Sequence, residues 1–297
     1  MNIDDHTLDK RTRALLTQYG FDSVPFSELV QRLKTGRLSA AANRLKVPVE
    51  LPREETYIPL PEPDSERARH LAAIGQTAIE AGQVGVVVLN GGMATRFGGL
   101  AKGVTVAVRG RSFLDWKLSQ VAHAGQGRAP VLLMNSFATD EATKSHLAAL
   151  DISCPVQTFS QMISLRCTPN GDLFIDGKGN PSLYAPGHGD LPFALQRSGL
   201  LAQFIDRGGR WLTVSNVDNL GAALDPRVIG LHIEQGNPMT VEIVRPNRRD
   251  VGGFPAIVNG KMMIVEAFRA PESFDVNTIP VFNTNTFVFD AEALRGS

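Results

Sequence analysis

A short apolar run over residues 84–90 passes directly into a glycine-rich loop, and this junction restricts the fold more than any other stretch of the chain. A run of this length suits a strand buried on both faces of a parallel sheet. Open sheets of that kind place their ligands at the C-terminal ends of their strands. The loop reads Leu89-Asn90-Gly91-Gly92-Met93-Ala94-Thr95-Arg96-Phe97-Gly98-Gly99-Leu100-Ala101-Lys102-Gly103. Its glycines free the backbone to turn tightly and bring N–H groups against phosphate oxygens, and Arg96 and Lys102 add positive charge. Spacing excludes two commoner phosphate loops. A Walker A loop needs Gly-Lys-Ser/Thr, but Lys102 lies between Ala101 and Gly103; the pairs Gly91-Gly92 and Gly98-Gly99 cannot form the G-x-G-x-x-G dinucleotide fingerprint.

Around this junction the pattern alternates between strand and helix. Leu8, Leu15 and Leu16, then Phe26, Leu29, Val30 and Leu33, recur at helical spacing and predict two or three short helices over residues 5–46. The proline-rich stretch 48–63 predicts an extended arm rather than a packed element. Asp64 and Ser65 offer caps for a helix reaching about Ala81. Further strands are expected at 131–134, 211–215, 239–244 and 281–289, with helices at 140–150 and 190–205. Segments 256–258 and 262–265 flank Asn259-Gly260, a type I′ hairpin signal. The expected fold is α/β: a mixed, mostly parallel sheet with helices on both faces. Residues 1–63 form a helical N-terminal segment and arm, and 64–297 the core.

Composition narrows the function classes. Thirty basic residues balance thirty acidic ones, so no net field points to nucleic acid or an acidic membrane, and any phosphate must be held by a local site. The two cysteines, Cys154 and Cys167, fit neither a disulfide framework nor a CxxC metal site. The N-terminus is charged and lacks a secretory apolar region, and no run has the length of a membrane span, so the cytoplasm is expected.

The loop pattern GG-x-[GA]-T-R-x-G…KG resembles the signature of sugar-nucleotide pyrophosphorylases. With Leu89-Asn90 before it, it is similar to that of the UTP–glucose-1-phosphate uridylyltransferase family. The resemblance continues in order through Ser112-Phe113-Leu114-Asp115, Met134-Asn135-Ser136-Phe137-Ala138-Thr139-Asp140-Glu141 and Thr158-Phe159-Ser160-Gln161. Pro186-Gly187-His188-Gly189-Asp190, Ser215-Asn216-Val217-Asp218-Asn219-Leu220-Gly221 and Phe282-Asn283-Thr284-Asn285 complete it. It implies a glycosyltransferase-A-like Rossmann core and transfer of a nucleotide to a sugar 1-phosphate with release of pyrophosphate. UTP with glucose 1-phosphate is the favoured pair. The same chemistry with GTP or a cyclitol phosphate, and a non-catalytic nucleotide-binding relative, stay open.

Each site segment has its own logic. Asp218 follows a strand end facing the phosphate loop, where a carboxylate is placed to hold Mg²⁺; an Asn-x-Asp-Asn turn is the plainer alternative. Gln161 carries a donor and an acceptor that match the imide edge of uracil; a buried structural amide that satisfies backbone groups is the alternative. Asn283 and Asn285 alternate on a strand and so point the same way. The resemblance implies catalytic roles for Lys102, Arg96 and Asp218, and nucleotide contacts at Leu89, Asn90, Gly91, Gly92, Gln161 and Gly187. It also implies sugar-phosphate contacts at His188, Asn216, Glu266 and Asn285. His188 is not needed as a base, because the attacking phosphate oxygen is already ionised. Ala94 and Ala101 stand where glycine and proline are frequent in related loops. The family carries a further lysine after the Asn-Thr-Asn strand and then a β-helix domain. The chain stops at Ser297, so that region is expected to be absent, with Arg248 and Arg249 the nearest substitute cations.

Overall fold

The computed structural model describes residues 8–94, 100–245 and 252–296. Its centre is a six-stranded sheet. In chain order the strands are β1 (Val84–Leu89), β2 (Val131–Asn135), β3 (Val156–Ser160), β4 (Trp211–Asn216), β5 (Met239–Val244) and β6 (Phe282–Asp290). Across the sheet they run β5-β6-β4-β1-β2-β3. The four strands β4, β1, β2 and β3 are parallel, and β6 and β5 add antiparallel at one side. The chain therefore steps outward from β1 to β3, then returns to place β4 on the other side of β1. That reversal opens a crevice beyond the C-termini of β1 and β4, the position where doubly wound sheets bind ligands.

Nine helices among the described residues surround the sheet: α1 (Lys10–Gln18), α2 (Ser23–Lys34), α3 (Glu66–Glu80), α4 (Phe113–Ala124), α5 (Asp140–Leu147), α6 (Leu191–Arg197), α7 (Leu200–Asp206), α8 (Pro226–Gln235) and α9 (Ala291–Arg295). Alternate side chains of β1 divide between two cores. Val84, Val86 and Val88 pack with Ile79 of α3, Leu114, Leu118 and Val121 of α4, and Ile229 of α8. Val87 and Leu89 pack with Leu195 of α6, Leu201 and Phe204 of α7, and Leu294 of α9. Burial on both faces is why β1 is apolar throughout. Caps stand where the chemistry asks for them: the Ser65, Ser112 and Asp225 side chains accept backbone N–H bonds at the starts of α3, α4 and α8.

Three differences from the sequence reading have local causes. The helix expected over 190–205 is two helices, because Ser198 caps α6 and Gly199 takes a left-handed φ of 74° before α7. The arm is packed at its start: Val49–Glu50 pairs with Gly253–Val258, and Leu45, Val47 and Leu51 lie against a small core around Phe254. The Gly253–Val258 and Lys261–Glu266 strands do form a hairpin through Asn259 and Gly260, both with positive φ. Finally, Asn285 has a φ of 59° inside β6, where the pairing with β5 shifts register between Val241 and Ile243. The strand is bulged here, so the simple alternation of Asn283 and Asn285 does not hold. No helix among the described residues is long and apolar enough to cross a membrane.

Candidate active site

The register of the sheet sets the site. Leu89 of β1 lies beside Asn216 of β4, so the segments that follow, with Gly91 and Gly92 on one side and Asp218 on the other, leave the sheet as neighbours. Val217 N donates to Leu89 O at 3.1 Å and ties the two exits together. The Leu89 side chain itself is buried in the core.

Asn90 is wholly buried. Its Nδ2 donates to Asn135 Oδ1 (2.8 Å) and Thr143 Oγ1 (2.9 Å), and Asn135 Nδ2 donates to Asp140 Oδ1 at 2.9 Å. Asp140 also accepts from Tyr19 Oη (3.1 Å) and Lys144 Nζ (2.7 Å). The side chain of Asn90 therefore anchors the start of the loop to α5. Gly91 O accepts from the buried Ser136 hydroxyl at 2.8 Å. A Cβ on Gly91 would lie 2.0 Å from Gln161 Nε2, and one on Gly103 would lie 2.2 Å from Asn90 Oδ1. A side chain at either position would therefore have to displace the Gln161 or the Asn90 amide from its place. Arg96 lies outside the described residues, as do Arg248 and Arg249.

Across the crevice, Lys102 Nζ donates to Asp218 Oδ2 at 2.8 Å. The Lys102 stem passes Gly92, whose notional Cβ is 3.8 Å from Lys102 Cδ and Cε. The glycine backbone, the lysine and the aspartate thus form one contiguous patch of opposite charges. Beneath it the chain shows a group that the sequence reading passed over. Lys117 of α4 is 1% exposed, and its Nζ donates to Asn219 O (2.8 Å) and Ala222 O (2.5 Å). Burial pushes its ammonium down to about 8, with the Asp218 and Glu242 carboxylates pulling it upward. A lysine at apolar helical spacing with Leu114, Leu118 and Val121 was the signal that could have revealed it.

On the other flank, Gln161 is buried and its Oε1 accepts from Gly187 N at 2.9 Å. A backbone N–H can only donate, which orients the amide with Nε2 towards Gly91. Asp190 holds the adjoining turn by accepting from Met162 N at 2.7 Å, and His188 is exposed in the same turn. The opposite wall comes from β4 and β6. Asn285 Nδ2 donates to Asn216 Oδ1 at 2.9 Å, while Asn283 supports it by accepting Asn285 N and donating to Gly253 O, both at 2.9 Å. Glu266 closes this side: a Cβ on Gly253 would sit 3.1 Å from Glu266 Oε1 and 2.5 Å from Asn283 Nδ2.

Among the described residues no three His, Cys, Asp or Glu side chains gather into a metal cage. A small, hard divalent cation does not need one: it holds to one or two carboxylates and takes its other ligands from water and substrate phosphates. The half-exposed Asp218 carboxylate, one lysine away from Gly92, fits that donor set.

The family model for UTP–glucose-1-phosphate uridylyltransferase matches residues 49–296. A probable UTP–glucose-1-phosphate uridylyltransferase of Schizosaccharomyces pombe is 31% identical over 227 residues, covering 72% of this chain and 45% of its own length. The corresponding protein of Saccharomyces cerevisiae is 30% identical, with 72% and 46% covered. The chain thus spans less than half the length of these relatives. Among solved structures, a UDP-glucose phosphorylase of Trypanosoma brucei superposes with a TM-score of 0.71 at 24% identity, covering 92% of this chain and 58% of that one. A uridine diphosphate N-acetylglucosamine pyrophosphorylase of the same organism gives 0.75 at 21% identity, with 97% and 63% covered. These likenesses fix the fold. Nucleotidyltransferases of this kind generally use a divalent metal. The match over residues 49–296 takes in the β1 loop, the Gln161 turn, the β4 exit and the bulge of β6 together, and on that ground the chain belongs to the UTP–glucose-1-phosphate uridylyltransferase family.

Proposed function

We propose that this chain carries a nucleotidyltransferase site that joins UTP to glucose 1-phosphate, giving UDP-glucose and pyrophosphate. The observation that carries the reading is the Lys102–Asp218 pair at the crevice between β1 and β4, beside Gly91 and Gly92. Each charge is satisfied by the other at 2.8 Å, and a nucleotide phosphate with its cation is the ligand that would meet both at once. Lys102 and the loop N–H groups then hold the α-phosphate while a sugar-phosphate oxygen attacks in line and pyrophosphate leaves. Mg²⁺ held by Asp218 would withdraw charge from the phosphate oxygens. No covalent nucleophile is needed, because the attacking oxygen is already anionic.

The amide of Gln161 supports uracil as the base. With Oε1 committed to Gly187 N, its Nε2 is a fixed donor, which suits a carbonyl and disfavours the amino group that cytosine carries there. Asn216, Asn285 and Glu266 offer donors and acceptors of the kind sugar hydroxyls need, and His188 lies in the turn beside Gly187.

The test is a panel of UTP, GTP, CTP and ATP with glucose 1-phosphate, other sugar phosphates and a cyclitol phosphate, read by pyrophosphate release with Mg²⁺ and with EDTA. Release is expected with UTP and glucose 1-phosphate only when Mg²⁺ is present. Preference for another pair would move the specificity, and nucleotide binding without release for any pair would make the chain a binding relative instead.

A further inference from the structure

The loop that follows β4 carries Asp218, and its backbone is held from below by one helix. Lys117 Nζ donates to Asn219 O and Ala222 O, and Gln120 Nε2 donates to Leu220 O at 3.1 Å. Three carbonyls within four residues are thus drawn onto α4. From above, Asn219 Nδ2 reaches Thr286 Oγ1 of β6 at 3.3 Å. A lysine 1% exposed is an expensive way to fill a core position, since its charge must leave water and here meets backbone dipoles rather than a carboxylate. A methionine of similar length would pack as well, but it would leave two inward-facing carbonyls unmet.

We propose that Lys117, with Gln120, is the positioning element for Asp218: α4 holds the 218–222 loop so that the carboxylate faces Lys102. The inference rests on the reading of Asp218 as the group that receives the metal-bound nucleotide. Lys117 touches no substrate in this account and acts through the loop. An aspartate that must present one oxygen to a cation beside Lys102 gains from a backbone that cannot drift.

The test compares the full chain with K117M, K117R and Q120L. Hydrogen–deuterium exchange is read across residues 216–224, and UTP binding is measured by calorimetry in Mg²⁺ and in EDTA. In K117M, exchange in 216–224 should rise about tenfold or more while β1 and β2 keep wild-type rates. Its UTP affinity should fall about tenfold in Mg²⁺ and stay unchanged in EDTA, and K117R should recover part of both losses. In turnover, K117M should lose kcat more than it raises the KM for glucose 1-phosphate. Wild-type exchange in 216–224 with unchanged Mg²⁺-dependent binding overturns the proposal. Should K117M not fold, Q120L decides on the same readouts, because it frees only Leu220 O: faster exchange confined to the loop supports the inference, and unchanged exchange refutes it. A wild-type protein that binds UTP equally in Mg²⁺ and EDTA would remove the metal role of Asp218, while the exchange arm would still decide whether α4 holds the loop.

Discussion

Lys102 and Asp218 leave 42% and 35% of their side chains open to solvent, and that exposure separates their part in stability from their part in chemistry. A pair this exposed contributes no more than about 1 kcal/mol to folding. A preorganised cation on a transferring phosphoryl group is worth far more, about a hundred- to a thousandfold in kcat. We therefore expect Lys102→Ala to lower kcat by about two to three orders of magnitude while the melting temperature changes little, as steady-state pyrophosphate release and a thermal melt would report. Near-normal turnover would take Lys102 out of the reaction. At this scale the sequence order of motifs was informative and the direction of individual side chains was not. Lys102, Asp218, Gln161 and Gly187 are all brought to the crevice. Asn90 stands in the same motif, yet its side chain turns inward, because its partners Asn135 and Thr143 are 45 and 53 residues further along. Only folding brings them within reach.

The strands expected at 84–90, 131–134, 211–215, 239–244 and 281–289 all form, whether buried through both faces as in β1 and β2 or half-exposed as in β5 and β6. β1 and β2 carry apolar runs that need no partner to be recognised, whereas β3 (Val-Gln-Thr-Phe-Ser), at the sheet edge with only Phe159 buried, offers no such run and is not among the expected strands. Helices α4 and α8 escaped for a different reason, since each places a polar side chain in its apolar face: Lys117 in α4 and His232 in α8. His232 is 1% exposed, with Nδ1 2.8 Å from Thr240 Oγ1, so it links α8 to β5. Burial lowers its affinity for a proton below the ordinary value of 6.5, with the Asp290 carboxylate pulling weakly the other way. The folded protein then binds fewer protons at this site than the unfolded chain. Its stability contribution is present above pH 6.5 and is lost as the pH falls through the folded value, at up to about 1.4 kcal/mol per pH unit. A His232→Gln variant keeps a polar group but cannot titrate. The stability gap between wild type and this variant, from urea melts, should shift in the variant's favour between pH 7.5 and 5. A gap that stays constant across that range would show that His232 does not charge in this window.

At the scale of the whole molecule, the base-reading side of the site depends on the N-terminal helices. Leu16 and Tyr19 of the α1 region and Phe26 and Val30 of α2 pack with Ile163 and Leu165, which follow Gln161 directly and are 0% and 1% exposed. Tyr19 Oη donates to Asp140, whose other oxygen begins the chain of amides that ends at Asn90. The C-terminal end of α1 borders a hollow of about 430 Å³ lined by Tyr19, Asp140, Lys144 and Arg197. By contrast, the two cores that sandwich the sheet contain none of the described residues 8–63. We accordingly propose that helices α1 and α2 act as a support for the nucleotide side of the core rather than as a separate folding unit. Deleting residues 1–36 uncovers Ile163 and Leu165, at about 1.5–3 kcal/mol for each such side chain. The sheet should survive, because the larger cores are untouched. The segment from Gln161 to Gly187 should lose its order, and with it the bond that orients the Gln161 amide. UTP affinity should therefore fall at least about tenfold and the preference for UTP over CTP should shrink, while far-UV circular dichroism keeps the strand signal of the core. Calorimetric titration of both nucleotides into the shortened and full chains decides it. Equal affinities and equal preference would mean that the base is read without help from α1 and α2.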